Sequence, residues 1–281
     1  MRHLKTYEDY KDLTLNYEKS VKPDDIKNII SKYCKDFKWT DKPIYRGFWG
    51  EGDAVIIDPR DQERFSANTR NYYTWIIDNS PAYKDYPKRS RSLICTDDIG
   101  TARTFGDDIA WRVIPFDGAK IGVCSSLDLW VSFPNIKKTF NDDYISLDDF
   151  NSNLETLYSA LYGEWEEGKF GKRQTKGSNM GGSNNAKKFF NNLETLLDDL
   201  SILEDENNLE ELKKNHPYPH WVDIDFAKRL PKTVKEVIDL FDPNKNGIEL
   251  FDYKEWLKKD PVDREVWISH PCLLVKESLV F

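Results

Sequence analysis

The chain has 281 residues, enough for one large domain or two ordinary ones and for a sizeable core without covalent staples. Its apolar content of 39% and aromatic content of 14%, with nine Trp, exclude a disordered chain, and a net charge of −8 excludes a general nucleic-acid binder. Cysteines 34, 95, 124 and 272 form no C-x-x-C pair, against a zinc ribbon or disulfide framework. The charged start MRHLKTYEDYKDL lacks an apolar signal region, and no apolar run nears the roughly 20 residues that span a bilayer. A soluble protein of a reducing compartment, with no membrane partner, is expected.

Residues 3–37 read as helical, with Pro23 placed for a helix start and Ile26, Ile29, Ile30 and Tyr33 at helical spacing. PIYRGF, 43–48, reads as a short strand. Tyr72, Trp75 and Ile76 suit a short helix that ends before Pro81. In SRSLICTDDIGTARTFG, 90–106, a strand at Leu93-Ile94-Cys95 runs into small polar residues, and Ala102 and Phe105 then share a helix face that stops at Gly106. Residues 109–115 alternate as a strand, and Asp117-Gly118 predicts a hairpin turn into a second strand at 119–124.

Ser146 with Asp149 resembles a capping box before a helix carrying Phe150, Leu154, Leu157, Leu161 and Trp165. Residues 168–185 are rich in Gly, Ser, Asn and Lys and read as a loop. A helix at 186–203 carries Phe189, Leu193, Leu196, Leu197 and Leu200, and another at 233–241 precedes DPNKNG. The C-terminal run REVWISHPCLLVKESLVF is β-prone. Strands near 45 and 267 with helices between predict an α+β fold: a single domain over 1–281, with a helical part at 1–40 and a mainly helical insertion at about 140–230.

Several patterns reach for chemistry and stop short. DPNKNGIELFDY opens like a calcium loop but carries Tyr253 where the bidentate Glu belongs, and reads better as a turn between two helices. His216 and His220 flank two prolines, which preclude a helical metal face. No metal site is expected. The stretch 168–188 holds Lys and Arg without an acid; a solvated loop is the ordinary reading, and a phosphate-rich partner such as nucleic acid, or an acidic one, the sharper alternative. No Ser-His-Asp order or phosphate-cradling glycine loop stands out.

Three short segments carry more when taken together. Tyr45-Arg46-Gly47 sets an Arg on a strand beside a Gly that permits close backbone approach. Cys95-Thr96-Asp97 ends a strand, with Ala102 and Phe105 in the following helix. Asp263-Arg264-Glu265 starts the C-terminal strand, and period-two alternation puts its two acids on one side. Their order resembles the arginine-serine-glutamate class of ADP-ribosyltransferases, the cholera-toxin-like branch, over about 45–124 and 240–275. The strings KRSRSLICT and IPFDGAKIGVC also look like proteins of large tailed phages.

The resemblance implies two small packed β-sheets around an NAD cleft. It implies a mono-ADP-ribosyltransferase that cleaves NAD, its substrate, at the nicotinamide–ribose bond and passes ADP-ribose to a macromolecule. A host protein, with arginine as the modified residue, is the first acceptor to consider. Arg46 matches the arginine that pins the diphosphate, Glu265 the catalytic carboxylate, and Asp263 the residue that aligns the acceptor. Gly47, Cys95, Thr96, Asp97 and Phe105 would line the cofactor, with Tyr72 and Tyr73 as further stacking candidates. Ser90 and Ser92 offer an alternative register for the hydroxyls. Cys95 and Asp97 stand where the family has serines, and Asp263 where it has Glu or Gln. The phage-like strings imply work in the cytoplasm of an infected host cell, or packaging in the virion. A non-catalytic phage structural or host-binding protein on the same fold is the competing reading.

Overall fold

The structure is a computed structural model. It describes residues 18–48, 52–61, 63–64, 72–140, 147, 149–150, 153–154, 193–195, 197–198, 224–260 and 263–279. The chain divides into two compact units. One comprises Met1–Arg64, Asp85–Leu129 and Gly247–Phe281; the other comprises Phe65–Lys84 and Trp130–Asn246, so it takes in the 140–230 insertion and an earlier segment as well.

The first unit is built on strands β1 (Glu18–Val21), β2 (Tyr45–Gly47), β3 (Ala54–Ile57), β4 (Leu93–Thr96), β5 (Ala110–Pro115), β6 (Lys120–Val123), β7 (Glu249–Asp252), β8 (Glu265–Ile268) and β9 (Cys272–Lys276). They form one antiparallel sheet in the order β1-β3-β9-β5-β2-β4-β8-β6-β7. The fold is therefore α+β with one hydrogen-bonded sheet, not two. The sheet has a weak seam: β2 and β4 share the single pair Tyr45↔Thr96, while β4 and β8 share four. β2 is only three residues long, so it cannot keep β4 and β5 both in register for any distance.

Buried side chains from both sides of the seam belong to one core cluster. Val55, Ile57, Trp111, Val113 and Leu274 come from one side, and Leu93, Ile121, Val123, Val266 and Ile268 from the other. On the opposite face of β3, β5 and β9 lies helix α1 (Pro23–Tyr33), which begins at Pro23 as the sequence predicts. Ile26 is fully buried there, worth roughly 1.5–3 kcal/mol. Tyr33 stacks on Phe116 at 5.2 Å.

Two expectations need correction. The Asp117-Gly118 turn is present, with Gly118 at φ 86, but β5 and β6 do not form a hairpin. β5 pairs with β2 and β9, and β6 with β7 and β8, so the turn carries the chain away from β5 to the far side of the seam. Residues 18–21, inside a stretch read as helical, form β1.

The second unit contains helix α2 (Tyr72–Asn79) and the helices Pro134–Phe140, Ile224–Arg229 and Val234–Asp239. Leu147, Phe150 and Leu154 are helical and buried, as are Leu193 and Leu197. Phe140, Phe150, Phe226 and Phe241 form a chain of ring contacts. Thr233 and Glu236 close a reciprocal capping box at the start of Val234–Asp239. DPNKNG is not a turn between two helices. Pro243–Asn246 is a helical turn and β7 follows it, while Asn246 Nδ2 donates to the Leu240 and Asp242 carbonyls instead of facing a cation. Ser146, His216, His220 and the 168–188 stretch lie outside the described residues. Among the described residues no helix is long and apolar enough to cross a membrane.

Candidate functional site

In β4 the side chains alternate: Leu93 and Cys95 enter the core cluster, which turns Ile94 and Thr96 to the other face. Thr96 stands opposite Tyr45 on one neighbour and opposite Glu265 on the other. Directly paired residues of antiparallel strands share a face. Tyr45, Thr96 and Glu265 thus form a cross-strand row over β2, β4 and β8, and all three are buried. The register settles which hydroxyl faces Glu265. Thr96 does; Ser92 sits at the other end of β4 and donates to the Lys88 carbonyl at 2.6 Å, and Ser90 lies in the 3₁₀ turn Arg89–Arg91.

The Glu265 carboxylate is held on both oxygens. Oε1 lies 2.6 Å from the Arg89 guanidinium and accepts from the Cys124 thiol at 3.8 Å, while Oε2 accepts from the Leu129 amide at 3.3 Å. Arg89 is aimed by Trp267, two residues along the same strand as Glu265. The indole donates to the Pro87 carbonyl at 2.9 Å, Tyr86 stacks on the ring at 6.1 Å, and the Arg89 guanidinium lies over it at 5.5 Å. Gly122, paired with Trp267, leaves room for that ring; a Cβ there would collide with it. Arg89 escaped the sequence reading. Its only signal is membership of the basic run Lys88-Arg89-Ser90-Arg91 just before β4.

Asp97 closes the next register position. Its Oδ1 accepts from the Arg264 amide at 2.5 Å, and its own amide donates to the Arg264 carbonyl at 3.3 Å. The β4–β8 ladder is so extended by one side chain. Oδ2 lies 2.8 Å from the Lys42 ammonium, with both side chains nearly or fully buried. Burial pulls Lys42 below its ordinary pKa, against the Asp97 carboxylate that raises it. Thr96 Oγ1 accepts from the Asp98 amide at 3.1 Å, and Asp98 caps helix α3 (Ile99–Phe105) by accepting from the Thr101 amide. The polar burst after β4 is therefore a strand end, a lock on β8 and a helix cap in three consecutive residues.

Arg46 sits at the seam. Its Nη1 donates to the Ile94 carbonyl at 2.5 Å, taking an acceptor that a longer β2–β4 ladder would have used, and its Nε is buried with no hydrogen-bond partner. Gly47 is glycine because α3 packs on it. A Cβ would lie 2.6 Å from the Gly106 amide nitrogen and 2.7 Å from the Phe105 carbonyl carbon. The close approach foreseen at Gly47 is that of a helix backbone. Cys95 points into the core, and burial pushes its thiol up to about 12, with Arg46 opposing and Glu265 reinforcing the shift. Phe105 is 67% exposed. Tyr73 is buried in the second unit.

Asp263 departs from the expected alternation. β8 begins at Glu265, and Asp263 precedes it with φ 47, in the left-handed region. It is exposed while Glu265 is buried, so the two acids do not lie side by side on one strand face. Among the described residues no group of three or more His, Cys, Asp or Glu side chains could hold a metal ion. Comparison with models of known families, with curated proteins and with solved structures finds no match.

Proposed function

We propose that the protein is a mono-ADP-ribosyltransferase with NAD as its donor substrate and a host macromolecule, foremost a protein, as acceptor. The observation that carries this reading is the adjacency of the three segments. β2, β4 and β8 are neighbours, and Tyr45, Thr96 and Glu265 form one row; Arg46, the next residue of β2, stands opposite the core residue Trp111 and reaches the seam through Nη1 on the Ile94 carbonyl. These are the segments picked out by order alone, from parts of the chain more than 160 residues apart at Thr96 and Glu265. The seam, with one pair between β2 and β4, is the place where the two sheets of the family that the sequence resembles would divide.

In this reading the C1′–N bond of NAD breaks and neutral nicotinamide leaves with the bonding electron pair. The developing oxocarbenium is stabilised by Glu265 bonded to the ribose 2′-hydroxyl, an interaction that strengthens in the transition state. Arg46 holds the diphosphate with the donors that Ile94 leaves unused. A nucleophile of the acceptor then bonds to C1′ and gives up its proton, and Asp263 aligns that group.

The pairing of Glu265 with buried Arg89 favours a second reading, a non-catalytic phage structural or host-binding protein in which Glu265 is a core ion pair. One assay separates the two. The protein is incubated with NAD labelled in the nicotinamide ring or the adenylate, with and without host lysate. Release of nicotinamide and label in a macromolecule are expected; a folded protein that releases no nicotinamide is not the proposed enzyme.

A further inference from the structure

The residue that replaces a family serine here, Asp97, has a partner that no motif contains. Lys42 stands three residues before the start of β2, and its side chain is 4% exposed. Its ammonium meets Asp97 Oδ2 at 2.8 Å, donates to the Asp260 carbonyl at 2.9 Å and lies 3.6 Å from the centre of the Trp256 ring. One cation therefore touches the end of β4, the backbone of the segment that leads into β8, and the helix Tyr253–Trp256. Through Asp97 Oδ1 it is one bond from the amide of Arg264, the residue before Glu265.

The energetics favour a positioning role. A buried carboxylate is stable only when its oxygens are engaged, and Asp97 divides its two between an ammonium and a backbone amide. Remove the ammonium and Oδ2 loses its counter-charge. With that charge gone from 2.8 Å away, the Asp97 carboxylate is no longer held from the Lys42 side, and its bond to the Arg264 amide weakens. Arg264 is itself tied outward, with Nη1 2.7 Å from Glu249 and its guanidinium 5.9 Å from Trp256. Asp263, just before it, is held at a positive φ. The entrance to β8 is thus fixed from both sides, and Glu265 is its first strand residue.

We propose that Lys42 and Asp97 form a positioning pair that sets the entrance of β8, and with it the Glu265 carboxylate. The lock itself is a statement about structure; its effect on turnover rests on the transferase reading. It also explains the departure at 97: a carboxylate replaces a hydroxyl because a lysine three residues before β2 is there to meet it.

The test uses the full chain with Lys42→Met, Lys42→Arg, Asp97→Asn and the Lys42→Met/Asp97→Asn double variant. Met keeps the apolar stem over Trp256 and removes the charge. Hydrogen exchange at the Arg264 amide is the first readout, with β9 amides as the internal control. The pair predicts faster exchange at Arg264 in Lys42→Met with β9 unchanged, recovery in Lys42→Arg, and a double variant no worse than the worse single one. Unchanged exchange at Arg264 overturns the lock whatever the activity. The second readout is nicotinamide release. kcat should fall on the order of 10- to 100-fold in Lys42→Met, with KM for NAD nearly unchanged, because a misplaced catalytic group costs rate more than binding. Faster exchange at Arg264 with wild-type kcat in Lys42→Met overturns the positioning role. A wild-type protein that releases no nicotinamide overturns the transferase reading, and the exchange data then judge the lock alone.

Discussion

The Arg89 guanidinium stands 2.6 Å from the Glu265 carboxylate, with the arginine side chain 3% and the glutamate side chain 12% exposed. A pair this dry is costly to break from one side. Removing one partner of a buried ion pair destabilises by about 3–5 kcal/mol, whereas replacing both with packed apolar groups is often neutral. Glu265→Gln is therefore expected to lower the melting temperature and, in the transferase reading, to cut nicotinamide release by roughly 10²–10³. Arg89→Met with Glu265→Gln should recover much of the stability, because Met can lie on Trp267, and none of the activity. Thermal melts and nicotinamide release on both variants check this. Full turnover by a folded Glu265→Gln protein would remove Glu265 from the chemistry.

Gly47→Ala should destabilise the first unit independently of any ligand. The new methyl would meet the α3 backbone at Phe105 and Gly106, which cannot move like a flexible side chain. Overpacking of this kind costs about 1–3 kcal/mol. Urea unfolding is the measurement, and a midpoint equal to wild type would show that α3 can shift away from β2.

Parts of this were legible in the sequence because they rest on local rules. Pro23 and the spacing of Ile26 to Tyr33 specify α1 through a fixed φ and a 3.6-residue period. Asp117-Gly118 shows that the chain turns, but not which strand it turns toward. β5 was already paired on both edges by β2 and β9, a long-range fact with no local trace. β1 hid because EKSV is short, polar and embedded in charged sequence, and takes its strand form from β3. The adjacency of β2, β4 and β8, which carry Arg46, Thr96 and Glu265, was suggested by the order of three short segments along the chain. Lys42 and Arg89 were not suggested, since a side chain that acts by meeting a distant carboxylate carries no signature at its own position. The face of Asp263 was misread for another reason: alternation holds only inside a strand, and β8 starts two residues later.

Alkaline pH should destabilise the protein. Burial raises the pKa of Cys95 to about 12 and raises those of Cys272, Tyr45 and Tyr253. A group whose folded pKa is raised keeps its proton in the folded state after the unfolded chain has lost it. Its contribution is full below the unfolded value, about 9 for a thiol, and is lost as pH rises toward the folded value. Lys42, shifted downward, works in the opposite sense, but one group stands against four. The melting temperature should fall steadily above about pH 9. Native protein at pH 8 should also resist thiol reagents, because Cys34, Cys95, Cys124 and Cys272 are all buried. A melting temperature flat to pH 11 would contradict the burial of these groups.

Asp263 offers the sharpest separation of transfer from hydrolysis. It is exposed, precedes β8, and holds φ 47. Two effects are mixed at such a position, the strain of a side chain in left-handed backbone and the chemistry of its carboxylate. Asn tolerates the left-handed region about as well as Asp and keeps the shape without the charge. Gly relieves the strain and removes the side chain. Ala keeps the strain and removes the carboxylate, so it should be the least stable of the three, by about 1 kcal/mol relative to Gly. In the transferase reading all three variants should lose transfer to the acceptor while nicotinamide release largely survives, since Glu265 alone serves bond cleavage. Asp263→Glu should retain transfer, because the longer side chain still reaches a guanidinium. The readouts are labelled acceptor and free nicotinamide in parallel, with urea unfolding to score strain. If transfer and release fall together, Asp263 acts through the position of Glu265. If Asp263→Asn transfers as well as wild type, the carboxylate does not align the acceptor, and a preference for arginine loses its support.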